Sequence, residues 1–247
     1  MLERYERNIG TITQEENERL KTFQVCVVGC GGLGGHVIEN LARLGIGHLT
    51  VIDGDVFQAS NLNRQILSTE QNLGQSKAEA ARERVAQINS QVGVCAINGF
   101  LNEFNSRELI RRHHVVVDAL DNIPGRLLLE KACEEEGIPL VHGAIAGWYG
   151  QVAVVMPGDR LLRILYAGGQ ETELEAGGPE SVAGAETEAR ASAGAETDAG
   201  NPAFTPAAVA ALETAEALKV LLGRPQTLRK KLLTADLLNQ SYEVVEL

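Results

Sequence analysis

The sequence predicts an α/β fold, a Rossmann-like, mostly parallel sheet flanked by helices, with antiparallel strands toward the C-terminal half. Three observations predict it. Short apolar runs alternate with amphipathic segments along most of the chain. The first run, Val25-Cys26-Val27-Val28, enters Gly29-Cys30-Gly31-Gly32-Leu33-Gly34, which reads as a buried strand, a tight turn and a helix N-terminus. A later run, Val115-Val116-Val117, is apolar on both faces, as a central parallel strand is. At 247 residues the chain can bury a full core, and it reads as one domain over 1–247.

Residues 2–23 read as a lead-in helix, with Leu20 and Phe23 at helical spacing and Thr13 and Glu16 in the form of a capping box. Arg4 and Arg7 stand ahead of the box and read, on periodicity alone, as a solvated charged face. In the glycine loop, Gly29 permits the turn, Gly31 and Gly32 let a phosphate approach the backbone, and Gly34 lets the helix pack on the strand. Helix 33–44 stops at Gly45, and strand 48–52 ends in Asp53, placed about 20 residues on, where a carboxylate can accept ribose hydroxyls.

A polar loop, Asn61-Leu62-Asn63-Arg64-Gln65, follows at the carboxyl end of that strand, where such folds bind ligands. Lys77 opens helix 76–88, whose apolar face is Ala78, Ala81, Val85 and Ile88; on its own it reads as a surface lysine. Strand 94–97, helix 105–112 and strand 115–119 continue the alternation. Asp118 and Asp121 close the last of these, able to hold a divalent cation or orient a loop, or to form an Asx-turn capping helix 124–136. Strands 138–142 and 151–156 follow with a Gly143–Gly147 turn between them. From 167 to 201 the composition becomes Ala, Gly, Glu, Ser and Thr, with Ala-Gly-Ala-Glu-Thr at 183–187 repeated at 193–197, which reads as an acidic loop or weakly formed helix. Helix 206–222, bearing a surface Lys219, ends at Gly223, and 242–247 reads as a final strand.

Composition excludes several classes. The net charge of −11 argues against nucleic-acid or membrane binding, both of which use a basic face. Neither a run of 18 apolar residues nor a signal-type N-terminus is present, so a cytoplasmic protein is expected. Four cysteines without a C-x-x-C pair suggest neither a disulfide framework nor a zinc site. Of these, Cys30 sits at a helix N-terminus that could lower its pKa, although a turn this tight also selects it simply for size.

A phosphate loop with a ribose carboxylate suits NAD(P) or ATP. No hydride-transfer constellation stands out, and His113, His114 and His142 read as structural or incidental. Arg64, Lys77 and Asp121 supply what nucleotidyl transfer requires, namely cations for the polyphosphate and a carboxylate for Mg²⁺.

The five linked motifs, completed by Asp53-Gly54-Asp55, Gly74-Gln75-Ser76-Lys77 and Asp118-Ala119-Leu120-Asp121-Asn122, resemble the ThiF/MoeB/HesA family, bacterial relatives of ubiquitin-activating enzymes. Arg4-Tyr5-x-Arg7 and 215–223 match as well, so the likeness spans all but 157–205. It implies adenylation: the C-terminal glycine carboxylate of a small β-grasp sulfur carrier (ThiS/MoaD-like) attacks the α-phosphate of MgATP and releases pyrophosphate, within cofactor biosynthesis. It also implies a homodimer in which Arg7 reaches the partner's ATP. Arg64 and Lys77 would bind phosphates, Asp121 would hold Mg²⁺ or shape its site, and Gly31, Gly32, Asp53, Asp55, Asn61, Asn63, Gln65 and Asn122 would contact the nucleotide.

The chain departs from the family in two places. The two zinc-binding C-x-x-C pairs of many members are missing, so no zinc is expected. No cysteine lies between Cys133 and Leu247, so chemistry is expected to stop at the acyl-adenylate, which an external sulfur donor or amine then takes. The alternatives are adenylation of another carboxylate, as in the zinc-lacking threonylcarbamoyladenosine-tRNA dehydratases, or a non-catalytic nucleotide-binding subunit; an NAD oxidoreductase fits least.

Overall fold

The computed structural model describes residues 3–167 and 200–247. The expectation of an acidic loop over 167–201 falls almost wholly outside them. Eight strands form one sheet in the order β3-β2-β1-β4-β5-β6-β7-β8. They are β1 (Gln24–Val28), β2 (His48–Ile52), β3 (Gly93–Ile97), β4 (Val115–Asp118), β5 (Leu140–Ala146), β6 (Tyr149–Val155), β7 (Lys231–Asp236) and β8 (Ser241–Glu246). Pairings among β1 to β5 are parallel, and those from β5 to β8 antiparallel, the mixed sheet the sequence predicts.

The helices are α1 (Gln14–Leu20), α2 (Gly32–Leu44), α3 (Lys77–Ile88), α4 (Ser106–Ile110), α5 (Ile123–Glu136), α6 (Leu161–Ala167) and α7 (Phe204–Leu222). Alternation along the strands divides the core into two layers. Val25 and Val27 of β1, with Val115 and Val117 of β4, pack on α2, α3 and α7 through Leu33, Val37, Ala81, Val209 and Leu221. Cys26, Val28 and Val116 face the other way, onto Leu129 and Cys133 of α5 and Leu162 and Leu165 of α6. β4 is buried along its whole length, as an apolar run in a central parallel strand must be.

Two expectations are corrected. The lead-in helix over 2–23 is two pieces, a 3₁₀ segment Glu3–Asn8 and then α1. Gly10 at φ 105° interrupts them, and the Thr13–Glu16 capping box marks the true helix start, each partner bonding the other's backbone. The Gly143–Gly147 turn is instead strand for most of its length: β5 runs through Ala146, and the hairpin turns at Gly147, φ 56°. Two elements, α6 and β7, carry no expectation at all. β7 sits between β6 and the final strand and completes the antiparallel half.

The N-terminal segment is fixed to the amino ends of the strands. Tyr5 is buried against Gly45, just before β2, and its hydroxyl accepts from Asn89 Nδ2 at 2.7 Å. Arg4 donates to Asn89 Oδ1 at 2.6 Å.

Candidate active site

A cleft of about 360 Å³ opens at the carboxyl ends of the parallel strands. Its walls are the segments that follow β1, β2, β3 and β4, together with Ala144 and Ile145 of β5. Strand order reverses here, between β2-β1 on one side and β4-β5 on the other, which is where open α/β sheets bind ligands.

The glycine loop divides by cause. Gly29 has φ 99°, and a Cβ there would stand 2.5 Å from the Ala119 carbonyl oxygen; a Cβ on Gly34 would stand 1.9 Å from that of Gly29. Chain packing therefore dictates these two glycines. Gly31 and Gly32 are different. A Cβ on either would meet nothing nearer than 3.5 Å, yet both line the cleft, so the space above them is free for a ligand. α2 begins at this point with Gly31 as its N-cap and no side-chain cap, leaving first-turn N–H groups for an anion.

Asp53 ties two loops together. Its Oδ2 accepts from Cys30 N at 2.7 Å and its Oδ1 from Asp55 N at 2.8 Å. Burial pushes the Asp53 carboxyl up, while the two N–H groups and the Lys77 charge oppose that. Lys77 is no surface residue. It is buried at the start of α3, its Nζ 3.0 Å from Asp55 Oδ2, and it is one of the residues that line the cleft. Cys30 follows the second of its two readings, that of a residue chosen for size: its thiol is fully buried in the core, and desolvation together with the nearby Asp53 carboxylate drives its pKa well up.

The polar loop after β2 separates into lining and scaffold. Arg64 and Gln65 line the cleft. Arg64 Nη1 donates to Ser60 O and Asn63 Oδ1, both at 2.9 Å. Asn61 does not line it; its Oδ1 accepts from Gln58 N at 2.9 Å and closes a 3₁₀ turn. Asn63 does not either, and its Nδ2 donates to Asn201 O at 3.0 Å.

After β4, Asp121 and Asn122 line the cleft; Asn122 caps α5 by accepting from Gly125 N at 2.9 Å. Asp118 takes the loop-orienting role, not the cation role. It is fully buried, its Oδ1 accepting from Leu120 N at 3.0 Å and its Oδ2 from His142 Nδ1 at 2.7 Å. His142, in mid β5, then accepts at Nε2 from the Tyr166 hydroxyl, 3.0 Å away. Burial lowers the His142 pKa, and Asp118 opposes the shift. Arg126 Nη2 and Nε hold the Leu120 carbonyl at 2.6 and 3.2 Å, locking the loop that carries Asp121.

The structure thus brings Gly31, Gly32, Asp53, Asp55, Arg64, Gln65, Lys77, Asp121 and Asn122 to one cleft. Arg7 is apart, exposed in the segment anchored at the amino ends of the strands, the opposite end of the sheet from the cleft of its own chain. The sequence reading missed Phe100, Leu101, Arg126 and Asn201, which also line the cleft. Arg126, four residues past Asn122 and two past Pro124, reads as an ordinary helix arginine until its burial is seen. Asn201 arrives from far along the chain and carries no local signal.

The ThiF family model matches residues 5–247. The chain is 36% identical over 246 residues to the SAMP-activating enzyme E1 of Haloferax volcanii, covering 99% of this chain and 84% of that protein. It is 37% identical over 249 residues to the sulfur carrier protein adenylyltransferase of Thermus thermophilus, covering 98% and 85%. Among solved structures, Escherichia coli MccB with ATP superposes with a TM-score of 0.78 at 21% identity, covering 100% of this chain and 72% of that one, a likeness of fold. With its glycine loop, carboxylates and cations gathered at the switch point, this chain belongs to the ThiF family.

Proposed function

We propose that the chain is an adenylyltransferase, one domain over 1–247, that uses ATP to activate the C-terminal glycine carboxylate of a small β-grasp sulfur-carrier protein. One observation carries the reading. Two glycines that packing does not require line a single cleft with Arg64, Lys77 and Asp121, facing a helix N-terminus. Family membership and the names of relatives along most of their length support it.

The chemistry asks little of the protein beyond placement. A carboxylate oxygen of the carrier forms a bond to the α-phosphorus, the bond from that phosphorus to the bridging oxygen breaks, and pyrophosphate leaves with the electron pair. The attacking group is already ionised, so no general base is needed. Stabilisation of the growing negative charge falls to the α2 N–H groups, Arg64 and Lys77. Lys77 is held by Asp55 at 3.0 Å, and a phosphate oxygen can share its other protons without a new desolvation cost. The cleft volume suits a nucleotide.

Among the described residues no group of three or more His, Cys, Asp or Glu could hold a metal. A single exposed Asp121 beside a polyphosphate fits magnesium, which takes one or two carboxylates and completes its shell with phosphate oxygens and water. Bound there, it would neutralise phosphate charge. Position of Arg7 supports a homodimer: it can serve a nucleotide only in the cleft of a second copy. The protein itself is proposed to carry no zinc and no thioester, the acyl-adenylate passing to an external nucleophile.

Pyrophosphate–ATP exchange with Mg²⁺ and candidate β-grasp carriers tests this. Exchange should depend on the carrier and fall by about 10²-fold or more in Asp121→Ala and in Arg64→Ala, the scale on which removing one charge-stabilising group acts. ATP binding without exchange, across all carriers, would refute the reading.

A further inference from the structure

Four polar side chains beneath the cleft, Asp118, Arg126, His142 and Gln151, are more than nine-tenths buried, and none takes a part in the chemistry proposed above. Asp118 and Arg126 are an ion pair as well, with Arg126 Nε 3.8 Å from Asp118 Oδ2. A buried pair of this kind adds little net stability, and its best-attested use is to fix one geometry.

The geometry fixed here is that of Leu120, the residue before Asp121. Its N–H donates to Asp118 Oδ1 at 3.0 Å, and Asp118 Oδ2 accepts from His142 Nδ1 at 2.7 Å. His142 Nε2 accepts from the Tyr166 hydroxyl at 3.0 Å, and the Tyr166 oxygen accepts from Arg126 Nη1 at 3.4 Å. Arg126 then donates from Nη2 and Nε to the Leu120 carbonyl at 2.6 and 3.2 Å. A ring of hydrogen bonds thus leaves Leu120 at its N–H and returns at its carbonyl.

Tyr166 closes that ring from another element. Its oxygen also accepts from Gln151 Nε2, so one hydroxyl on α6 joins β5, β6 and α5. Its ring lies 5.7 Å from the Arg126 guanidinium carbon. α6 is itself fixed at its first turn, where the Glu130 carboxylate of α5 accepts from Leu162 N at 2.6 Å and Arg163 N at 3.1 Å.

We propose that Tyr166 is a positioning residue for Asp121: by closing the ring it holds the Leu120–Asp121 peptide where the carboxylate meets the cation beside the polyphosphate. This rests on the reading of Asp121 as the magnesium residue. Preorganisation of this kind acts on metal affinity, since a loop already in place need not be ordered when the ion arrives.

The test titrates Mn²⁺, as a paramagnetic substitute for Mg²⁺, into the full chain saturated with a non-hydrolysable ATP analogue, with electron paramagnetic resonance as the readout. Tyr166→Phe removes only the hydroxyl, and His142→Asn keeps a donor near Asp118 while cutting the link to Tyr166. Each should weaken Mn²⁺ binding about 3–10-fold, the scale of one neutral hydrogen bond, and leave analogue affinity without metal unchanged. Because both cut the same ring, the double variant should lose no more than either alone, and Tyr166→Phe should add nothing to Asp121→Ala. A lowered Tm with unmoved Mn²⁺ affinity, or losses that multiply, would overturn the role of Tyr166 while leaving Asp121 and adenylation standing. Wild-type Mn²⁺ affinity in Asp121→Ala would instead remove the metal reading of Asp121 and this inference with it.

Discussion

At the scale of single residues, the glycine loop was legible because its cause is local: a strand, a turn and a helix start within ten positions leave few alternatives. Asp53 was legible in place but not in mode, since its backbone partners, Cys30 and Asp55, are fixed only when two loops meet. Lys77, read alone as a surface residue, is buried because α3 starts beneath Asp55. The same limit hid Glu213, which lies on α7 among small apolar neighbours. Its carboxyl is wedged against Gly143, where a Cβ would come within 2.3 Å of Glu213 Cδ. Desolvation raises its pKa well above normal; the Asp118 carboxylate adds to the rise and Arg126 opposes it. A raised folded-state pKa means that the folded chain holds a proton which the unfolded chain releases above about pH 4.3. The stability it contributes is full below that pH and declines as pH rises. Glu213→Gln should therefore melt higher than the wild type, by a margin that widens between pH 5 and pH 8 in thermal scans. A margin independent of pH would show that Glu213 is not held neutral.

Among the elements, those with strong periodicity and clear stops agree with the sequence reading nearly to the residue: α2 ending at Gly45, β2, α3 and α7 ending at Gly223. The misses share a cause. β7 has mixed burial, and α6 is a short helix whose apolar face is made by packing on α5, so neither has a long period to read. The turn after β5 was set too early because Gly143 suggested a break, whereas a glycine is needed there to admit Glu213. One ion pair closes the junction of these elements: Arg229, just before β7, donates from Nε and Nη2 to both oxygens of Asp159, just after β6, each at 3.0 Å. Asp159 also accepts from Met156 N at 3.0 Å, and despite its burial these partners hold its carboxyl below the usual range. Half of the Arg229 side chain is in solvent, so Arg229→Ala should cost no more than about 1 kcal/mol and lower Tm by about 2–4 °C. A loss of cooperativity in the melt would mean that the pair matters far more than its exposure allows.

For the whole molecule, the sheet places the cleft at one end and the Tyr5 anchor at the other, which turns Arg7 into a test of assembly. Arg7→Ala and Asp121→Ala should each be inactive alone. After mixing and subunit exchange they should regain about a quarter of wild-type exchange activity, since half of randomly formed dimers are mixed and each holds one intact site. No recovery, with mixed dimers demonstrated, would place Arg7 outside the site. The parallel half and its switch point were readable because crossover helices repeat a simple rhythm; the antiparallel half was less so, being fixed by long-range pairing. That pairing also has a temporal side. β6 is complete at Val155, and the strand that covers its outer edge does not begin until Lys231. On the ribosome the gap amounts to several seconds at about 5–20 residues per second. Throughout that interval the nascent chain carries a nearly finished sheet with an uncovered apolar edge, the form most prone to pairing with a neighbour.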